Sequence, residues 1–241
     1  MSVITQLPTF YISTPHTCSY FAEREASTVF VDPQNPADTV TYNYLIRVGF
    51  RRSGDLVYRP QCYDCNDCVS VRLPVAEFEP RRSQKRIARR NQDLEVNILP
   101  GEFRHEHFDL YKNYQQDRHP ESSMNDDNPD HYEDFLFYRG IDTELVEFRL
   151  HGRLLCVAVM DLVADGLSAV YTFYDTAYAK RGLGVNAILW QVEEARKRGK
   201  PHVYLGYWIK HHEKMHYKIQ YSPVEGFIDK KWRLIDRDLF R

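Results

Sequence analysis

Long apolar runs are missing from this sequence. The longest, Leu154 to Met160, falls far short of the roughly 20 residues that cross a bilayer, so no membrane span is expected. The opening MSVITQLPTFYIS has no basic start followed by an apolar stretch, so it does not read as a secretory signal, and a cytoplasmic protein is expected. Internal repeats at solenoid spacing and low-complexity segments are also missing. Neither sign of charge dominates: 32 Lys and Arg against 34 Asp and Glu leave a net charge of −2. That excludes a surface coated in basic residues, although not a local basic patch. Five cysteines in 241 residues are too few for a small disulfide-stapled scaffold. What is present, 43% hydrophobic and 27% charged residues, suits a packed core in one large domain or two small ones.

Three of the cysteines form C-x-x-C-x-x-C at Cys62, Cys65 and Cys68. Two-residue gaps let a turn aim successive thiolates at one ion, as zinc and iron–sulfur sites need. Cys18 or His16 would supply a fourth ligand, and a loop of free thiols is the simpler alternative. Cys156 sits inside the apolar run LLCVAVM and is expected in the core.

Periodicity predicts a strand at 27–32, a helix at 39–49 stopped by Gly49, and strands at 55–59 and 69–75. A basic helix follows at 80–92, then a strand at 93–99. Pro100-Gly101 is the expected boundary between a first domain, 1–100, and a second, 101–241. The second half predicts helices at 103–117 and 130–138, with strands at 143–150, 153–164 and 167–175. His151-Gly152 and Asp165-Gly166 are hairpin signals, so these strands should be antiparallel. A long helix at 181–198, a strand at 202–207, a short helix near 212–219 and a strand near 224–228 complete the chain.

That order resembles the GNAT (acyl-CoA N-acyltransferase) fold. The expected class is α+β: a GNAT-like C-terminal half with a mixed sheet flanked by helices, preceded by a smaller α/β N-terminal domain. In a GNAT fold the start of the long helix holds a phosphate. Here that junction is Arg181-Gly182-Leu183-Gly184-Val185-Asn186, whose glycines let backbone approach an anion and whose helix start offers unpaired N–H groups.

A narrower resemblance rests on an ordered set of stretches. They are Y-x-S-x-P-H-x-C-S-Y (11–20), L-I-R-V-G-F-R-R-S-G (45–54), Y-R-P-x-C-x-x-C-x-x-C (58–68), R-S-Q-K-R-x-x-R-R-N-x-D (82–93) and R-H-P (118–120). V-Y-T-F-Y-D (170–175), R-G-L-G-V (181–185), Y-L-G-Y-W-I (204–209) and K-M-x-Y-K (214–218) follow. Together they resemble the arginyl-tRNA–protein transferase family, most closely its bacterial aspartate/glutamate leucyltransferase branch. The resemblance implies transfer of leucine from leucyl-tRNA to the N-terminal α-amine of proteins beginning with Asp or Glu, which marks them for degradation. Its partners would be leucyl-tRNA and those proteins, with no membrane. No cofactor is required for transfer. Related eukaryotic enzymes carry a cysteine-bound iron–sulfur site, so Cys18, Cys62, Cys65 and Cys68 would be the set for such a cluster or for zinc. Arginine as donor, an acetyl-CoA-dependent N-acetyltransferase and a zinc-dependent RNA-binding adaptor are the competing readings.

The chemistry then suggests roles. Asp175 would hold or deprotonate the α-ammonium, or merely cap its turn. Tyr174 and Tyr207 would donate to the ester or ribose oxygen, or line the core. Arg181, Gly182 and Gly184 would meet a phosphate. Lys214, Tyr217 and Lys218 would pair with tRNA, or form a solvated face. Arg51, Arg52, Arg82 and Arg86 are the candidates to read an acidic N-terminus by a bidentate bond. Arg81, Arg82, Lys85, Arg86, Arg89 and Arg90, with no acid among them, and a second run over 196–218 oppose an acidic segment at 121–147. That segregation favours a polyanion partner.

Overall fold

In a computed structural model, residues 8–121, 126–137 and 140–236 are described. The first described elements are strands β1 (Phe10–Ile12), β2 (His16–Thr17), β3 (Glu25–Ala26) and β4 (Thr28–Val31), then helix α1 (Thr39–Arg47). Strands β5 (Arg51–Ser53), β6 (Leu56–Pro60) and β7 (Cys68–Pro74) precede α2 (Arg82–Arg90) and β8 (Glu95–Pro100). Helices α3 (His105–Arg118) and α4 (Pro129–Leu136) lead into β9 (Thr143–Leu150), β10 (Arg153–Val163) and β11 (Gly166–Tyr174). A 3₁₀ segment (Thr176–Arg181), α5 (Leu183–Lys197), β12 (His202–Ile209), a second 3₁₀ segment (Glu213–Gln220), β13 (Glu225–Ile228) and β14 (Lys231–Leu234) follow.

The expected α+β class holds. A small antiparallel sheet, ordered β1-β4-β6-β5, packs with α1. The large mixed sheet is ordered β14-β13-β7-β12-β11-β10-β9-β8. Strand β10 explains its layering. Cys156, Ala158 and Met160 face the cluster that contains α5, while Val157 and Val159 face the one built by α3 and α4. Both faces are covered, so LLCVAVM reads as a continuous apolar run without alternation. His151 and Gly152 turn the β9–β10 hairpin with φ of 50° and 80°.

Two strands from the first hundred residues enter this large sheet. Strand β7 lies between β12 and β13, and β8 pairs with β9 as far as Pro100 opposite Glu144. The two segments either side of Pro100-Gly101 therefore interlock through one sheet. A buried ion pair adds a second tie: Arg52 on β5 meets Asp161 on β10. No helix among the described residues is long and apolar enough to cross a membrane.

Candidate active site

The site begins where the sheet opens. Strands β11 and β12 pair in parallel, and their register covers only Gly166–His202, Leu167–Val203 and Ser168–Tyr204. Beyond that, β11 continues to Tyr174 and β12 to Ile209 without pairing to each other, so the two strands splay into a wedge. The β12 register against β7 shifts between Tyr204 and Gly206, and Gly206 takes φ 78°, which a glycine adopts without strain.

One amine sits at this bulge. Lys218, on the second 3₁₀ segment, is buried, and its Nζ donates to Tyr207 O at 2.8 Å. A Cβ added at Gly206 would stand 3.4 Å from that nitrogen. Burial and then the neighbouring Arg51 charge hold the Lys218 ammonium down to about 7. The sequence reading of Lys218 as a surface tRNA contact is therefore corrected: an amine under β12 is not on the solvated face. Tyr217 beside it is 43% exposed, with its ring centroid 5.8 Å from Lys218 Nζ. The side chain of Lys214 lies outside the described residues.

Tyrosines line the wedge. Tyr174 packs against Tyr114 of α3, the rings tilted by 60° with centroids 5.0 Å apart, and Tyr114 meets Tyr171 edge-on at 6.4 Å. Burial and then the Tyr114 charge push the Tyr217 phenol up to about 12. Tyr207 is buried too. Its hydroxyl lies 2.9 Å from Gly49 O and 3.1 Å from Tyr58 O, so its proton serves backbone carbonyls and not an ester oxygen.

The expected phosphate loop is held from behind by α2. Ile87 packs where a Gly182 Cβ would lie, 3.1 Å away, and Gly182 has φ 71°. Arg181 is spent on this junction: Nε donates to Asn91 Oδ1 at 3.0 Å, and Nη2 to Arg90 O and the Asp93 carboxylate. Those two nitrogens anchor the junction. Gly184 faces only the Tyr174 ring, at 3.9 Å, which leaves the first turn of α5 open on that side.

Asp175 sits as the cap that the plainer reading expected. Oδ1 accepts from Ala177 N at 3.0 Å and Oδ2 from Arg153 at 2.7 Å. Both oxygens already have donors, which opposes a role as the base.

The four arginines expected to read an acidic side chain separate. Arg51 is buried under α1, donating to Phe50 O at 2.6 Å and, at 3.4 Å each, to Ile46 O and Val71 O. Arg52 is closed by Asp161, at 2.7 and 2.6 Å, and by Leu136 O. Those two are structural. Arg82 and Arg86 are exposed on α2 and, with Arg89, line a surface pocket of about 500 Å³. Spacings of four and three residues put all three on one helical face.

The cysteines gather without closing. Burial, then the charges of Cys62, Cys65 and Cys18, push the Cys68 thiol up to about 12. Cys65 Sγ accepts from Arg24 at 3.8 Å, Cys18 Sγ from Tyr20 N at 3.5 Å, and Cys62 Sγ donates to Ser27 O at 3.8 Å. Among the described residues, no group of three or more His, Cys, Asp or Glu is arranged to hold a metal ion. The thiols as placed do not fit a closed cluster.

Sequence reasoning missed Tyr114 and Tyr171, because which tyrosine lines a wedge depends on long-range pairing. Gly206 was findable: a glycine inside Y-L-G-Y-W-I is a bulge signal.

The comparisons with known proteins cover both halves. The family described as "Arginine-tRNA-protein transferase, N terminus" matches residues 16–86, and its "C terminus" counterpart matches 106–228. An aspartate/glutamate leucyltransferase of Pseudomonas fluorescens (strain Pf0-1) is 49% identical over 94% of this chain and 97% of its own. One from Nitrosococcus oceani is 48% identical over 94% and 95%. Among solved structures, the C-terminal domain of a putative lysylphosphatidylglycerol synthetase from Agrobacterium fabrum is 13% identical with a TM-score of 0.45. It covers 59% of this chain, which spans 46% of that one. On the two family matches and the near-full-length relatives, this chain belongs to the arginine-tRNA-protein transferase family.

Proposed function

We propose that this chain transfers leucine from leucyl-tRNA to the N-terminal α-amine of proteins that begin with Asp or Glu, marking them for degradation. The observation that carries this is the 49% identity, over 94% of the chain, to a protein named aspartate/glutamate leucyltransferase. The reaction is aminolysis of an activated ester, so it needs no cofactor. Holding amine and ester together contributes roughly 7–11 kcal/mol in well-oriented cases.

The wedge between β11 and β12 suits that task. An extended peptide end can lie along the unpaired strand edges, as a strand added to a sheet. Tyr174, Tyr114 and Tyr217 offer ring faces for the aminoacylated adenosine, and the open first turn of α5 at Gly184 offers N–H groups to its phosphate. Arg82, Arg86 and Arg89 fit a run of phosphates better than a single carboxylate, since three cations on one helix face repeat along a backbone. In this reading residues 1–100 bring the basic helix, the cysteine loop and strands β7 and β8 of the large sheet, and 101–241 supply the rest of the GNAT-like transferring half.

The test is transfer itself. Incubation with leucyl-tRNA and peptides starting with Asp, Glu or Ala should add one leucine to the Asp and Glu peptides alone, read by mass. Addition of arginine from arginyl-tRNA instead would reassign the donor, and no addition from either would remove the transferase reading.

A further inference from the structure

We infer that Lys218 Nζ is the base that takes a proton from the incoming α-ammonium. The inference rests on the leucyl-transfer reading above. Its geometry is local. The amine lies at the β12 bulge, 2.8 Å from Tyr207 O, where β12 has already parted from β11. The glycine at 206 keeps a side chain from crowding it. Among the described residues, Nζ makes one hydrogen bond, to Tyr207 O.

The groups facing Lys218 are all cationic or neutral. Arg51 comes from β5 and Tyr207 from β12, while Tyr217 lies on its own segment; among the described residues no carboxylate pairs with the amine. A second cation and a dry setting favour the free amine, consistent with its depressed affinity for protons. An ammonium at a protein N-terminus ordinarily titrates at about 7.7–8.0, so proton transfer to such a lysine is close to balanced. Asp175, the other candidate, has both oxygens engaged.

In the step, the α-ammonium gives its first proton to Lys218 Nζ. The freed nitrogen pair forms the C–N bond to the leucyl carbonyl carbon. The bond from that carbon to the ribose oxygen breaks, and the oxygen takes the second proton shed by the nitrogen. The products are an amide and a free ribose hydroxyl. Lys218 then returns the first proton to water, so one proton is released per turnover.

The experiment compares wild type, Lys218→Met and Lys218→Gln in single-turnover transfer from leucyl-tRNA to a saturating Asp-starting peptide between pH 6.5 and 9. Glutamine keeps a donor for Tyr207 O, so it guards against loss of fold, and leucyl-tRNA binding is measured for each. Both variants should bind leucyl-tRNA as wild type does and transfer about 10²–10⁴-fold more slowly at pH 6.5. The deficit should shrink several-fold by pH 9, where the peptide amine is already free. A deficit of the same factor at every pH, or wild-type rates in the glutamine variant, overturns the role of Lys218 alone. No product from the wild-type chain with any donor overturns the transfer reading, and the role with it.

Discussion

Arg52 and Asp161 form a bidentate ion pair across the two halves of the chain, with Nε and Nη2 at 2.7 and 2.6 Å from the carboxylate and both side chains buried. Thr143 Oγ1 also donates to Asp161, at 2.9 Å. Removing one member of such a pair leaves a dry charge, which costs about 3–5 kcal/mol. Arg52→Met should therefore lower stability by that amount in urea denaturation. In whatever enzyme remains folded, the KM for an Asp-starting peptide and the rejection of an Ala-starting one should be unchanged. A lost preference for Asp with stability intact would mean that Arg52 meets substrate after all.

The basic face of α2 makes a different kind of claim. Arg82, Arg86 and Arg89 are exposed, so their charges act on a partner and contribute little to folding. Every tRNA phosphate that the helix no longer neutralises should flatten the dependence of log affinity on log salt by about 0.7–0.9. Replacing all three arginines by Gln should then reduce the slope for tRNA by about 2, with unchanged thermal stability. Filter binding at four salt concentrations reads it directly, and an unchanged slope would move the tRNA surface elsewhere.

Acid should unlock the sheet at Glu147. Hydrogen bonds from Arg149, then from His107 and Asn97, outweigh burial and hold its carboxyl down to about 2. His107 itself is pushed down because burial outweighs the Glu147 carboxylate, so the main charge partner of Glu147 is Arg149. A carboxylate whose folded affinity for protons is depressed stabilises the fold above its unfolded value of about 4.3, and that stability is lost as pH falls toward 2. Stability measured by urea at stepped pH should drop by roughly 3 kcal/mol from this group over that window, at about 1.4 kcal/mol per unit. Glu147→Gln should start less stable at neutral pH and lose less on acidification. Parallel curves for the two proteins would rule this out.

Most of the second half was legible because its signals are local. The hairpin at His151-Gly152, the apolar face of α5 and the stop at Gly199 all act within a few residues, and β9 spans Thr143–Leu150 as expected. The placement of β7 beside β12 was not legible, since a strand with both faces buried carries no mark of its neighbours. That one pairing decides much of the site. It sets the bulge at Gly206, leaves β12 parting from β11, and buries Lys218. The same reason explains the arginines: the sequence shows four cations, while only the packing of β5 near β10 and α1 shows which are already answered by Asp161 or by the end of α1. The acidic stretch was read as a segment, but its carboxylates act singly. Glu133 and Glu144 lie on different elements, and Glu144 pairs with Arg198.

Asn91 carries the last expectation. It is buried at the end of α2, where its Nδ2 donates to Ile87 O at 2.9 Å and Arg181 O at 3.0 Å while Oδ1 accepts from Arg181. It therefore joins the basic helix to the start of α5. Asn91→Ala would strip the Arg181 carbonyl and Nε of their Asn91 partners in a half-buried setting, a loss of about 1–3 kcal/mol. Asp at this position would keep the acceptor for Arg181 but lose both donations, so it should recover only part of that loss. If the junction orients Arg82, Arg86 and Arg89 relative to the wedge, the alanine variant should also speed amide exchange at Leu183–Val185 and lower kcat for transfer more than it weakens tRNA binding. Equal falls in binding and kcat, with exchange unchanged, would mean that α2 grips tRNA independently of the loop it covers.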